Sequence, residues 1–176
     1  MSGPKIPIAI WADETKYRQE GETYEEKCGR IAGALTDNRR HFAKFHDILK
    51  NQRFLPGGRI QAGCGSTKKV TAFNCFVMQK VPDDLMGIMK VATEAAKTMQ
   101  LGGGVGYDFS AIRPSGDTIK SLGSVASGPI SFMGIFDSVC KTIASAGHRR
   151  GAQMATMRVD HPDIMKFITA KGNNTT

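Results

Sequence analysis

Apolar residues in the first 55 positions recur every three to four residues, and this spacing predicts helices. Thr23 with Glu26 three residues on is a capping box that opens a helix over 23–36, with Tyr24, Ile31 and Leu35 as its apolar stripe. Asp37 stands where it can cap a second helix over 37–52, in which Phe42, Phe45 and Leu49 share a face and are expected to be buried. Residues 53–69, RFLPGGRIQAGCGSTKK, are rich in glycine and turn formers and read as a loop. From residue 70 the texture changes. VTAFNCFVMQ (70–79) reads as a strand apolar on both faces, as in a buried parallel sheet. Residues 82–101 follow as a helix with Asp83 as its cap and Leu85, Ile88, Met89, Ala92, Ala96 and Met99 as its stripe. GGGVGYDFS is a glycine stop and a short strand, and 112–128 is a long loop. A second clear helix starts at Pro129 and stops at Gly147; HRRGAQMATMRV leads into a third strand, and HPDIMKFITAKG is a third helix. Strand and helix alternate three times, the order of an α/β fold with parallel strands. The expected organisation is a helical region over 1–55 and an α/β region over 56–176.

Composition narrows the partners. Apolar residues make up 40% and charged residues 23%, ordinary for a globular protein, so the net charge of +8 is the distinctive number. It points to an anionic partner, or to a solvated basic face. Nucleic acid is not expected, because the phenylalanines among the basic residues of 37–52 are expected to be buried rather than presented for stacking. The four cysteines include no CxxC pair and no zinc-type spacing with histidine, so reduced thiols, a cytoplasmic setting and no metal site are expected. The start, MSGPKIPIAIWADETKYR, does not read as a signal peptide, and no apolar run approaches the roughly 20 residues of a membrane span.

Several residues are candidates for chemistry. Cys75 sits inside NCFVM, either as a small buried hydrophobe or as a working thiol. LGGGVG resembles a phosphate loop faintly, but it lacks the trailing Gly-Lys-Ser/Thr and stands between a helix and a strand, the reverse of the required order. GHRRGAQM places Arg149 and Arg150 between glycines, suited either to an anion or to the C-terminal end of a helix. Arg113 and Lys120 in the 112–128 loop fit an anion as well. His161 reads as a cap or packing residue, and His41 and His46 have no assigned role.

FNCFVM, GGGVGYDFSAIRPSGD, SGPISFMGIFD, GHRRGAQM and HPDIMKFI occur in this order, and together they resemble the large catalytic chain of ribonucleotide reductases, in particular the adenosylcobalamin-dependent class II enzymes. The resemblance runs from about residue 53 to the end, and ADETKYR and RFLPGG are similar to the family's N-terminal region. It implies the first strands and helices of a ten-stranded α/β barrel, incomplete here. It implies that Cys75 is one of two thiols that reduce the ribonucleotide and become a disulfide, and that Asn74, Gly103, Gly104 and Gly106 lie at the substrate. Asp83, Asp84 and Leu85 match the helix start that holds a dNTP or ATP effector, Arg113 and Lys120 match its phosphate and loop contacts, and Arg149 and Arg150 fall in a second effector loop. The helices over 85–101 and 129–146 match those that pair in a homodimer.

The same resemblance implies partners and gaps. A thioredoxin- or glutaredoxin-type reductant would reset the disulfide. The radical-bearing cysteine, the second reducing thiol and the adenosylcobalamin site match nothing in these residues, and Gly57–Arg59 stands where many relatives carry Ser or Thr near the substrate phosphate. These residues alone are therefore expected to be inactive until joined by the remainder of the barrel, on the same chain or a second polypeptide. Two alternatives stay open: a class I large chain, whose radical comes from a di-metal partner, and a stand-alone nucleotide-binding module without catalysis.

Overall fold

The computed structural model describes residues 3–121, 123–143 and 151–172. It divides into two units, Met1–Asn74 and Cys75–Thr176.

The first unit is helical: α1 (Pro7–Lys16), α2 (Tyr24–Leu35), α3 (Arg39–Lys50) and the short α4 (Gly58–Gly63). The Thr23–Glu26 capping box opens α2 as the sequence predicts, with Glu26 N–H donating to Thr23 Oγ1 at 3.2 Å and Thr23 N–H to Glu26 Oε2 at 2.8 Å. The cap of α3 is Asn38 rather than Asp37: its side chain accepts from His41 N–H at 3.0 Å, while Asp37 pairs with the His41 ring. The segment expected to be a loop contains α4. Cys28, Ile31, Ala32 and Leu49 form a small core with Tyr24 and Ile60 against it. Leu35, Phe42 and Phe45 are exposed instead, the phenylalanines stacking on His46 and His41. The burial that argued against a nucleic-acid partner is thus absent. Polar side chains do much of the stapling. Buried Asp13 pairs with Lys27 and with Arg18 Nε at 2.6 Å, and Arg30 holds Glu22 at 2.7 Å while donating to the carbonyls of Tyr17, Gln61 and Cys64.

The second unit is α/β. Strands β1 (Cys75–Val77), β2 (Gly104–Asp108) and β5 (Gln153–Thr156) form a parallel sheet in the order β1-β2-β5, with Cys75 opposite Gly104 and Val105 opposite Gln153. Helix α5 (Leu85–Gln100) crosses from β1 to β2, α6 (Pro129–Thr142) lies between β2 and β5, and α7 (Ile164–Thr169) follows β5. The 112–128 loop is not structureless: β3 (Thr118–Ile119) and β4 (Ser124–Val125) pair as an antiparallel ribbon within it. The core gathers Ile88, Val91, Ala95 and Met99 of α5 against Val105 and Tyr107 of β2 and Phe136 of α6. Tyr107, Phe109 and Phe136 meet edge to face, with ring centroids 4.7–5.8 Å apart, a favourable aromatic arrangement.

Three sequence expectations change here. The strand over 70–79 shortens to β1, with Cys75 and Val77 exposed, because β1 pairs with β2 alone among the described strands. The buried stripe of α5 is Ile88, Val91, Ala92, Ala95 and Met99, while Leu85 and Met89 are exposed. Asp84, not Asp83, caps α5: its extended backbone presents a carboxylate that accepts from Gly87 N–H at 2.8 Å.

Candidate functional site

Two clusters of candidate residues lie at opposite ends of the parallel strands. At the amino ends, exposed Cys75 begins β1 and faces buried Gly104, the first residue of β2. Gly103 packs beneath Phe76, where a Cβ would stand 2.8 Å from both the ring and Thr98 Cγ2, so only glycine fits without displacement. Exposed Asn74 immediately precedes Cys75. Among the cysteines, burial pushes the thiols of Cys28 and Cys140 up, which keeps them protonated and poorly nucleophilic; Cys64 is half-buried, and Cys75 is exposed.

At the carboxyl ends, the segments leaving β1 and β2 enclose a cavity of about 410 Å³. Open parallel sheets generally bind ligands on this side, where successive strand–helix turns converge. Its walls are Asp83, Asp84, Leu85 and Ile88 from the start of α5, Ile112, Arg113, Ile119, Ser121 and 126–128 from the loop, and Phe132 of α6. Asp83 fixes Arg113 twice, accepting from its backbone N–H at 3.0 Å and from Nε at 2.7 Å. That bond holds the guanidinium by its inner edge and leaves Nη1 and Nη2 without a partner among the described residues, an arrangement suited to a phosphate or carboxylate. The start of α5 adds a partial positive charge.

The structure therefore brings Asp83, Asp84, Leu85 and Arg113 to one cavity, and Cys75 and Gly104 to one ladder pair, with Gly103 beside them. Lys120 is exposed at the turn of the β3–β4 ribbon between two lining residues and does not itself line the cavity. Arg149 and Arg150 lie outside the described residues.

Sequence reasoning missed a third group, which closes the neck of the loop. Asp163, buried just before α7, accepts from Ser115 N–H at 2.6 Å and Ser115 Oγ at 2.9 Å, and pairs with Lys166 at 2.8 Å. Burial alone would push its carboxyl up, but the bonds from Lys166 and Ser115 outweigh that and hold it at about 2. His161 is buried with both ring nitrogens engaged, Nε2 with Ile112 O at 2.8 Å and Nδ1 accepting from Asp163 N–H at 3.0 Å. The available signal was Gly128 before Pro129: its φ of +81° needs glycine, and a Cβ there would stand 2.7 Å from Ser115 N. Among the described residues no group of histidine, cysteine and carboxylate side chains could hold a metal ion, and no helix is long and apolar enough to cross a membrane.

A parallel sheet with crossing helices, and a largely apolar cavity at the strand carboxyl ends that carries Asp83, Asp84 and Arg113 in its wall, defines an α/β protein of the barrel or open-sheet class. Comparison with known proteins is more specific. The ribonucleotide reductase barrel domain model matches residues 73–176, and the chain belongs to the ribonucleotide reductase family. The vitamin B12-dependent ribonucleoside-diphosphate reductase of Mycobacterium tuberculosis is 40% identical over 155 residues, covering 85% of this chain and 22% of that protein. The enzyme of the same description from Thermoplasma acidophilum is 36% identical over 149 residues, covering 85% of this chain and 19% of its own length. The class Id ribonucleotide reductase alpha subunit of Actinobacillus ureae superposes with a TM-score of 0.76 at 23% identity, over 91% of this chain and 29% of that one, and shares the fold. The chain spans about a fifth of the length of the curated relatives it matches.

Proposed function

We propose that these residues are part of the catalytic chain of a ribonucleotide reductase that converts ribonucleoside diphosphates to deoxyribonucleotides by radical chemistry. The observation that carries the reading is the pairing of exposed Cys75 with glycine-lined β2 inside a barrel-family segment. Cys75 is one of two redox thiols; the second comes from outside the described residues. Oxidation of the two thiols to a disulfide releases two electrons and two protons, which replace the ribose 2′-hydroxyl with hydrogen and release it as water. A thioredoxin- or glutaredoxin-type reductant restores the thiols by exchange. Asn74, Gly103 and Gly104 border the substrate, since glycine lets a ligand approach the main chain.

The cavity at the carboxyl ends of the strands is the effector site in this reading. Arg113 offers its free guanidinium edge to the phosphates of a dNTP or ATP, supported by the amino end of α5. Asp84 and Leu85 border the same ligand, and Lys120 with Arg149 and Arg150 adds cationic contacts from the loops. A homodimer pairs α5 and α6 with their copies; the open groove of about 640 Å³ between these helices, lined by Met89, Ala96 and Ile135, supports it. The radical source is adenosylcobalamin, in keeping with the B12-dependent relatives. In this reading its site belongs to parts of the barrel beyond the residues described. When bound elsewhere in the barrel, the cofactor supplies the initiating radical. Free cysteines fit a reducing compartment, and we place the protein in the cytoplasm.

The test is Cys75→Ser in the complete, cobalamin-supplied enzyme. Multiple turnover should vanish while diphosphate binding persists; sustained turnover with thioredoxin would overturn the role of Cys75. Activity that needs a metalloprotein partner instead of cobalamin would move the protein to class I.

A further inference from the structure

The 112–128 loop is closed at its neck by a residue outside it. Ser115 at one end and Gly128 at the other both abut the Asp163 carboxylate: Ser115 donates its N–H and hydroxyl, and the Cβ position of Gly128 lies 2.9 Å from Oδ2. Two residues away, His161 grips the carbonyl of Ile112, the residue just before Arg113. Within the loop, Gly116 N–H donates to Ala126 O at 2.9 Å and Ala126 N–H to Asp117 O at 2.7 Å, so the neck propagates directly into the β3–β4 ribbon. Arg113 is thus held from one side by Asp83 and from the other by the segment that leaves β5. Buried hydrogen bonds to a charged carboxylate are among the stronger polar contacts, and they have one geometry rather than many. Lys166, its side chain 61% exposed, pairs with the same carboxylate and donates to Ser115 Oγ, so it braces the neck from the solvent side.

We propose that Asp163, backed by His161, is a positioning residue for the cavity: it fixes the neck of the loop so that Arg113 presents its free edge to the ligand's phosphate. The proposal rests on the reading of that cavity as a nucleotide effector site. It also makes the β5–α7 segment a mechanical link to that site, because both bonds run from residues just past the end of β5.

The test uses the complete reductase and equilibrium binding of dTTP, dATP and dGTP, alongside binding of a diphosphate substrate and the thermal midpoint. Asp163→Asn keeps the shape but turns one acceptor into a donor facing Ser115. It should weaken dNTP binding about tenfold, the order of one charge-assisted hydrogen bond, and leave diphosphate affinity unchanged. Ser115→Ala, which keeps the carboxylate and the backbone bond, should weaken it about threefold, and the double variant should be no weaker than Asp163→Asn alone. Arg113→Ala separates the two readings. If it leaves dNTP affinity intact, the effector site fails and the positioning role with it. If it weakens binding while Asp163→Asn does not, or while both nucleotide classes fall equally in Asp163→Asn, the effector site stands and the positioning role is overturned. Should Asp163→Asn not fold, unchanged dNTP affinity in Ser115→Ala overturns the proposal by itself.

Discussion

Gly103 has so little room that its substitution tests the local packing directly. A Cβ there would overlap the ring of Phe76 and the methyl of Thr98, each 2.8 Å away. Gly103→Ala should cost about 1–3 kcal/mol of stability, the usual range for overpacking, read as a lower urea midpoint. Asp163 gives a second prediction. Its carboxyl sits at about 2 when folded, below the usual 3.8, so its contribution is complete above pH about 4 and is lost as pH falls toward 2. Acid unfolding of Asp163→Asn should therefore be less steep across that window than that of the unsubstituted protein. The two residues differ in how visible they are in the chain. Gly103 stands in a glycine run that invites attention, whereas Asp163 draws no reading from the sequence, because its partner Ser115 lies 48 positions away. Nothing local announces a hydrogen bond across that separation.

At the scale of elements, periodicity carried most of the prediction. Helix α5, the start of α6, β2, β5 and the capping box of α2 fall where the spacing puts them, while α6 ends at Thr142, short of the stop expected at Gly147, because Ile143 turns to an extended backbone. The errors cluster at element ends, where adjacent polar residues compete. Asp83 and Asp84 are both able to cap α5, and the choice is made by Arg113, which engages Asp83 and leaves Asp84 for Gly87. Asp84→Ala should then cost about 1 kcal/mol through the lost cap, measured by chemical denaturation, while Asp83→Ala should free Arg113 and act on ligand binding more than on stability. The shift of the α5 stripe toward Val91 and Ala95 has a similar origin: the face that is buried is the one turned to β2 and α6, and the sequence offers apolar residues on either side of it.

For the whole molecule, the informative feature is apolar surface at the sheet's edges. Val77 on β1 is 95% exposed and Met154 on β5 62%, on strands that pair with β2 alone among the described residues. Such edges recruit other strands. Produced as these 176 residues, the protein should self-associate through these edges, seen as light scattering that rises with concentration, and show no nucleotide reduction; joined to the rest of a reductase barrel, it should lose the edge-driven association and reduce nucleotides. The sequence by itself determined the α/β class, the helices α2 and α3, and the alternation of strand and helix from β1 to α7, because each is written in local spacing. Tertiary structure alone decided that Cys75 is exposed at a strand's start, that Asp83, Arg113 and the loop share one cavity at the other end of the sheet, and that Asp163 closes that loop. Those facts depend on which strands lie side by side and on bonds across some 30 to 50 residues, distances over which a pattern of hydrophobic and polar positions carries no geometry.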